Sequence, residues 1–398
     1  MHEPCNIPPD WALHTTNVAS KWVEQQFVAH ISGRPLVNPP PGMDMPTVLS
    51  CGQLAWRLAD AYRHPVKLDI DIIRYNEALA KHETSMNDAH EDALLMKFPP
   101  AEKLVLDTPC VVVDSGLRII LWYVPKCLSS WVQNDMFTAT KSMGDLLRKS
   151  ITARRGTSWR TSESNFRPSE TPHLTPGCIN IAPCWFQQGH ECYGPPPDDL
   201  ENGFKPVISA TLKGERSLSM IIDMQRPALI ASAALRVMHP QLYWASVATH
   251  LELGRWSKDQ GLVDMHHLLK HWASVYTGAS IMCNRQSPEH RDPKCPPEAF
   301  DILTCIGNYQ HAVMKLTNLG IELAYDPGVL VSYSGRLVRH GIDVKDGDRI
   351  VWAWFLRDSV HNYARTPRPD YARYHPVDIN EHNLAKYNQA DFAIYGML

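Results

Sequence analysis

The last third of the chain restricts the fold most. From Ser280 to Arg357 the sequence breaks into short apolar runs: SIMCNR, FDILTCIGNY, AVMKLT, IELAYD, GVLVSYS, RLVRHGIDV and RIVWAWFLR. Turn residues separate them. Short strands this closely spaced predict a β-sandwich or barrel. Upstream the period changes. NVASKWVEQQFVAHI and QLAWRLADAYR carry apolar residues at helical spacing, so residues 1–100 read as mostly helical. PCVVVDSGLRIILWYV (109–124) reads as two strands around an Asp-Ser-Gly turn, with a helix following over about 129–150. A second helical block covers about 226–276, and the last forty residues read as loop. The expected class is α+β, with a helical extension over 1–108 and the main domain over 109–398.

Composition narrows the function. With 44% hydrophobic and 20% charged residues the chain reads as globular. A net charge of −3 excludes a globally basic nucleic-acid binder. Locally the balance reverses. From Lys141 to Arg167, the cations Lys141, Arg148, Lys149, Arg154, Arg155, Arg160 and Arg167 face only Asp145 and Glu163. This run reads either as a solvated segment or as an arm that contacts a polyanion. It continues into a Ser-, Thr-, Arg- and Pro-rich stretch over about 151–177, expected to be a long loop or a disordered insert. The N-terminus has no apolar run of signal-peptide type, and the 10 cysteines show no CxxC, so free thiols in a reducing compartment are expected.

One motif carries chemistry. His290-Arg291-Asp292 would open a protein-kinase catalytic loop, but that loop needs Leu and Asn where Pro293 and Pro297 stand. Neither a Gly-rich loop nor a D-F-G accompanies it. On a strand, residues i and i+2 share a side, so His290 and Asp292 can present imidazole and carboxylate to one ion. His340 supplies a second imidazole after a turn-strand-turn pattern, completing a facial triad that leaves positions open. Arg349 opens the next strand and is placed to clamp a carboxylate through two N–H groups. Alternation along that strand points Arg349, Val351, Ala353, Phe355 and Arg357 inward, and Ile350, Trp352 and Trp354 to an outer layer.

The segment TGASIMCNRQSPEHRDPKCPPEAFDILTCI (277–306), followed by His340 and Arg349, resembles the catalytic core of the TET/JBP family of thymine and 5-methylcytosine oxidases. The Thr-Gly pair, the gap, the H-R-D and Cys305 fall in register, and the resemblance covers roughly 277–357. It implies a double-stranded β-helix (jelly-roll, cupin-like) core with flanking helices. It also implies Fe(II) held by His290, Asp292 and His340, and 2-oxoglutarate held by Arg349. Arg285 is a further candidate for 2-oxoglutarate or nucleic acid, with exposure as its default. The implied reaction couples decarboxylation of 2-oxoglutarate to hydroxylation of a methyl group on a flipped base. DNA containing methylated bases is then the partner, and the location nuclear. The chain departs from the animal enzymes at Cys295 (Asn there), Val351 (Ser there), Phe355 (Tyr there) and Arg357 (His there). Cys295, Phe355 and Arg357 are therefore candidate substrate contacts of altered chemistry, with Arg154 and Arg155 as candidate phosphate contacts. N6-methyladenine or another methylated substrate is the alternative, and a non-catalytic nucleic-acid-binding module on this fold is a second.

Two other groups compete for metal. His267 and His271 lie at i, i+4, but Leu268 stands where a zinc protease needs Glu. The helical wheel buries Leu262, Met265, Leu269, Trp272 and Tyr276 and exposes both histidines. Cys178, Cys184, His190 and Cys192 match no standard zinc spacing.

Overall fold

A computed structural model describes residues 6–80, 87–97, 99–100, 103–153, 158–187, 189–191, 204–292 and 295–376. The helices are α1 (Ala12–Ser32), α2 (Met45–Tyr62), α3 (Ile72–Ala80), α4 (Asn87–Lys97), α5 (Ser130–Ser142), α6 (Gly144–Ser150), α7 (Ser217–Asp223), α8 (Gln225–Met238), α9 (Pro240–Asp259), α10 (Val263–His271) and α11 (Asp358–Tyr363). Strands β1 (Pro65–Lys67), β2 (Leu104–Leu106), β3 (Cys110–Val113), β4 (Ile119–Val124) and β5 (Gly177–Ile181) precede the strand-rich third. That third holds β6 (Gly278–Cys283), β7 (Ser287–His290), β8 (Asp301–Gly307), β9 (Val313–Leu316), β10 (Ile321–Ala324), β11 (Leu330–Tyr333), β12 (His340–Asp343) and β13 (Arg349–Phe355).

The strands β6 to β13 form a double-stranded β-helix, as expected. They distribute between two sheets, β11-β8-β13-β6 at the centre of the larger and β10-β9-β12-β7 in the smaller. Neighbours within each set pair antiparallel. The larger sheet is extended by β5 beyond β6 and by β4, β3 and β1 beyond β11, and β2 adds to the smaller sheet through β10. The N-terminal segment therefore contributes an edge strand to each sheet, through β1 and β2.

Alternation decides what each face does. Between the sheets lie Met282, Leu303, Cys305, Val351, Met314, Leu316 and Leu323. On the other face of the larger sheet, Ile281, Ile350, Trp352 and Trp354 join Trp122 and residues of α1, α2 and α8 in one core. The expected β13 alternation thus holds. Trp122, Trp352 and Trp354 are fully buried, each indole removing about 200 Å² from water, an upper estimate of roughly 5 kcal/mol at about 25 cal/mol/Å². Trp352 Nε1–H also donates to Thr140 Oγ1 at 3.0 Å, tying α5 to the sheet.

Local chemistry sets the boundaries. Asp44 caps α2 by accepting the Thr47 N–H at 3.0 Å. The Asp-Ser-Gly turn joins β3 to β4: buried Asp114 accepts the Gly116 and Arg118 backbone N–H groups at 2.9 and 2.7 Å and the Arg118 guanidinium at 2.9 Å. The expected 129–150 helix is two helices, parted at Met143, whose backbone leaves the helical region. Leu262, expected in the α10 stripe, is exposed, because α10 starts after it; Leu268 is buried instead. Among the described residues no helix is long and apolar enough to cross a membrane.

Candidate metal and cosubstrate site

Antiparallel pairing of β7 with β12 sets His290 opposite His340, their rings 4.2 Å apart. His290 Nδ1 lies 2.8 Å from the Pro288 carbonyl and His340 Nδ1 3.0 Å from the Val338 carbonyl. Both Nδ1–H groups are thereby used on backbone, leaving each Nε2 lone pair for a ligand. Asp292 follows β7, its backbone N–H donating to Gly335 at 2.8 Å. Asp292 Oδ2 is 3.9 Å from His290 Nε2. The three residues offer ligand atoms within 4.8 Å of one another, and they are the group of this kind found among the described residues.

The electrostatics suit a cation. Burial, then His340, drives the His290 pKa down to about 3, and burial also lowers that of His340, so both imidazoles are neutral at pH 7. Burial opposes ionisation of Asp292, but His340, His290, Arg160 and Arg357 outweigh it and bring its pKa to about 2. Two neutral imidazoles and one carboxylate are the donor set that a divalent first-row metal takes.

Beside them lies an excess of buried positive charge. Arg349 is 3% exposed and Arg285 8%. Arg285, expected at the surface, is therefore interior; its Nη1 reaches Cys178 Sγ at 3.0 Å, and its guanidinium lies 5.1 Å from the Trp159 ring. Arg349 Nη2 donates to the Arg285 carbonyl. The Nε of each arginine is buried with no partner. Burial, together with Arg160 and Arg349, lowers the Arg285 pKa against the opposing pull of Cys178 and Asp292. Buried donors left unmatched call for an anion, and a dicarboxylate fits two guanidinium groups next to a metal.

The residues expected to meet substrate divide. Phe355 is nearly buried, with the Arg357 guanidinium 4.4 Å above its ring. Gly278 makes room for it, since a Cβ there would lie 2.8 Å from Phe355 Cζ. Arg357 is half-buried and acts electrostatically on Asp292 and Asp301. Cys295 is buried, and its thiol donates to Asp301 Oδ2 at 3.0 Å, so it presents no free polar group. Burial raises the Asp301 pKa to about 7. Arg154 and Arg155 lie outside the described residues.

The basic run is only partly free. Arg160 pairs with Asp292 Oδ1 at 2.8 Å, and Arg167 donates to the Gly347 carbonyl at 2.8 Å. Lys141, Arg148 and Lys149 are exposed. From Ser158 to Gly177 the expected loose insert is irregular but anchored: the Asp348 carboxylate accepts the Glu170 and Thr171 N–H groups at 3.1 and 2.6 Å. Sequence reasoning missed Trp159, whose ring is 4.5 Å from that of His290, and Tyr333, 5.0 Å from His340. The other metal candidates disperse. Cys178 serves Arg285, while Cys184 is buried in an apolar cluster with Phe186 and Leu253. His190 stacks on Phe204, and Cys192 lies outside the described residues. His267 and His271 lie with rings 4.5 Å apart on α10, His271 Nδ1 faces the His267 carbonyl, and Gln225 Nε2 donates to the His271 carbonyl.

With the site described, a comparison with family models bears on its class. Residues 205–358 match the model Tet_JBP, the oxygenase domain of the 2OGFeDO superfamily. These residues are similar to a Tet_JBP oxygenase domain. The match spans all four residues of the triad-and-arginine pattern. That superfamily implies Fe(II) and 2-oxoglutarate, in keeping with the donor set of His290, Asp292 and His340. No curated protein matches the chain. Among solved structures, the chain is similar to NgTET1 in complex with 5mC DNA, at 13% identity over 81% of this chain and 100% of that one, with a TM-score of 0.41. It is also similar to a C-terminally truncated oxygenase of Neurospora crassa in apo form, at 10% identity over 73% and 94% of the chains, with a TM-score of 0.28.

Proposed function

We propose that this chain is a Tet_JBP oxygenase that oxidises the methyl group of 5-methylcytosine in DNA. The observation that carries the reading is the convergence of ligand atoms of His290, Asp292 and His340 within 4.8 Å of one another, with the buried Nε atoms of Arg349 and Arg285 left without partners. His290, Asp292 and His340 would hold Fe(II), and Arg349 with Arg285 would hold the carboxylates of 2-oxoglutarate. When bound, Fe(II) and 2-oxoglutarate would supply the chemistry by reducing O2, one oxygen atom passing into succinate as CO2 is lost and the other into the methyl group as hydroxyl.

The rest falls to the chain's own residues. The backbone carbonyls of Pro288 and Val338 fix the orientation of the two imidazoles. A methylated base inside a duplex is out of reach and must be flipped. Phe355 is buried beneath Arg357, so it would support that side chain and not stack on the base. Arg357, over that ring, offers N–H donors to its polar edge. Exposed Lys141, Arg148 and Lys149, with Arg154 and Arg155, would meet phosphates and make binding steeply salt-dependent. A DNA substrate makes a nuclear location part of the same proposal.

The test is incubation of the protein with Fe(II), 2-oxoglutarate and oligonucleotide duplexes bearing 5-methylcytosine or N6-methyladenine, followed by mass spectrometry of the nucleosides. The expected result is 5-hydroxymethylcytosine with N6-methyladenine unchanged. Loss of N6-methyladenine alone moves the substrate to the alternative base. No oxidation or succinate formation with any methylated substrate leaves a non-catalytic binding module.

A further inference from the structure

Asp292 has two oxygens, and each faces a different partner. Oδ2 is turned to His290 Nε2, the side where the candidate ligands converge. Oδ1 is held by Arg160 Nη2 at 2.8 Å, across 132 residues of chain. We infer that Arg160 is a positioning residue for the metal centre: by occupying Oδ1 it makes Asp292 a one-oxygen ligand. The inference rests on the reading of His290, Asp292 and His340 as metal ligands.

A carboxylate free on both oxygens can bind an ion through either or both. Two-oxygen binding would consume a position that an oxygenase must keep open for cosubstrate and oxygen. The rest of Asp292 is fixed. Its N–H is held by Gly335, and a Cβ on Gly335 would sit 3.2 Å from Asp292 Cβ and 3.0 Å from Asp301 Oδ2, so the wall behind it has no slack. Rotation of the carboxylate is the freedom left, and Arg160 removes it.

Arg160 is itself delivered, not loose. Its guanidinium lies 4.6 Å from the Trp159 ring, which in turn sits against His290 and under Arg285. The segment carrying both residues is pinned at each end. Thr152 N–H donates to Thr161 at 2.9 Å. Further on, Gln286 N–H donates to Asn165 at 2.7 Å and Arg167 N–H to Asn284 at 2.9 Å. A half-exposed ion pair by itself contributes about 0–1 kcal/mol to stability. Binding of 2-oxoglutarate to the metal form therefore separates a positioning role from a surface contact.

The probe is Mn(II) alone, titrated anaerobically into the full chain and followed by loss of the free-ion EPR signal; 2-oxoglutarate is then titrated into the Mn(II) protein. Arg160→Ala lets Asp292 offer both oxygens, so Mn(II) alone is expected to bind equally or more tightly, while 2-oxoglutarate binding to the Mn(II) protein weakens about tenfold, the usual scale for losing a partner that orients a ligand. Arg160→Lys, which keeps the charge, is expected to recover most of the loss. Arg160→Gln, which keeps a donor, guards against a folding defect in the alanine variant. Wild-type 2-oxoglutarate binding by the Mn(II) form of Arg160→Ala overturns the inference while leaving the metal site standing. Absence of Mn(II) binding by the wild type, unchanged in Asp292→Ala, overturns the metal site beneath it.

Discussion

Asp292→Ala is expected to abolish iron-dependent succinate formation while leaving the fold intact. The substitution removes the one carboxylate of the ligand set, so the remaining imidazoles hold a divalent ion poorly. Losing an ion that stabilises developing charge costs several kcal/mol, on the order of 10³-fold in rate. It also leaves Arg160 facing Arg285 and Arg349 without the anion that now balances it. The side chain of Asp292 is partly exposed, so thermal unfolding should move little. Succinate release measured beside the unfolding midpoint checks both halves. A folded variant with wild-type turnover would remove His290, Asp292 and His340 from the chemistry.

Stability is expected to fall steeply between pH 6.5 and pH 4, because of three buried histidines away from the site. Burial drives His239 and His250 down to about 4 and His361 to about 3. Unfolded, each titrates near 6.5. Over this window the unfolded chain binds more protons than the native one, so stability rises with pH and is lost on acidification. Each contributes roughly 1.4 kcal/mol per pH unit. From pH 7.5 to 5 the loss is therefore about 2 kcal/mol per residue, on the order of 6 kcal/mol from these three, and buried Asp301, whose raised pKa favours the native state as pH falls, offsets part of it. His250 Nε2 faces the Val275 and Tyr276 carbonyls at 3.2 Å, and His361 Nδ1 faces Thr249 Oγ1 at 3.3 Å. Denaturant titrations at the two pH values measure the loss. His250→Gln, which keeps a donor for those carbonyls, should reduce the loss by about 2 kcal/mol. A flat profile contradicts this assignment of buried neutral histidines.

What could be read from the sequence was whatever repeats at short range. The two-residue period of RIVWAWF places Arg349, Val351 and Phe355 on one face and Trp352 and Trp354 on the other, and the folded β13 keeps that division. His290, Asp292, His340 and Arg349 were legible because their chemical types and order are unusual together. Partnerships across long stretches of chain were not legible. Arg160 looked like one charge in a basic run, and only folding shows that it is spent on Asp292. Arg285 looked exposed because a lone arginine usually is, yet folding buries it and leaves its Nε without a partner. Cys295 stood out as a departure in the motif, but its thiol is spent on Asp301, whose burial no local pattern announced. The helix break at Met143 was hidden because the apolar spacing continues through it.

The most direct test of the central claim is the stoichiometry of one reaction. Fe(II), 2-oxoglutarate and a duplex carrying 5-methylcytosine are mixed with the protein, and succinate and oxidised nucleoside are counted together. The account predicts one oxidation of the 5-methyl group for each succinate released, and neither product from the His290→Ala or Asp292→Ala protein. Succinate released with 5-methylcytosine left intact, or full oxidation by either variant, would contradict it.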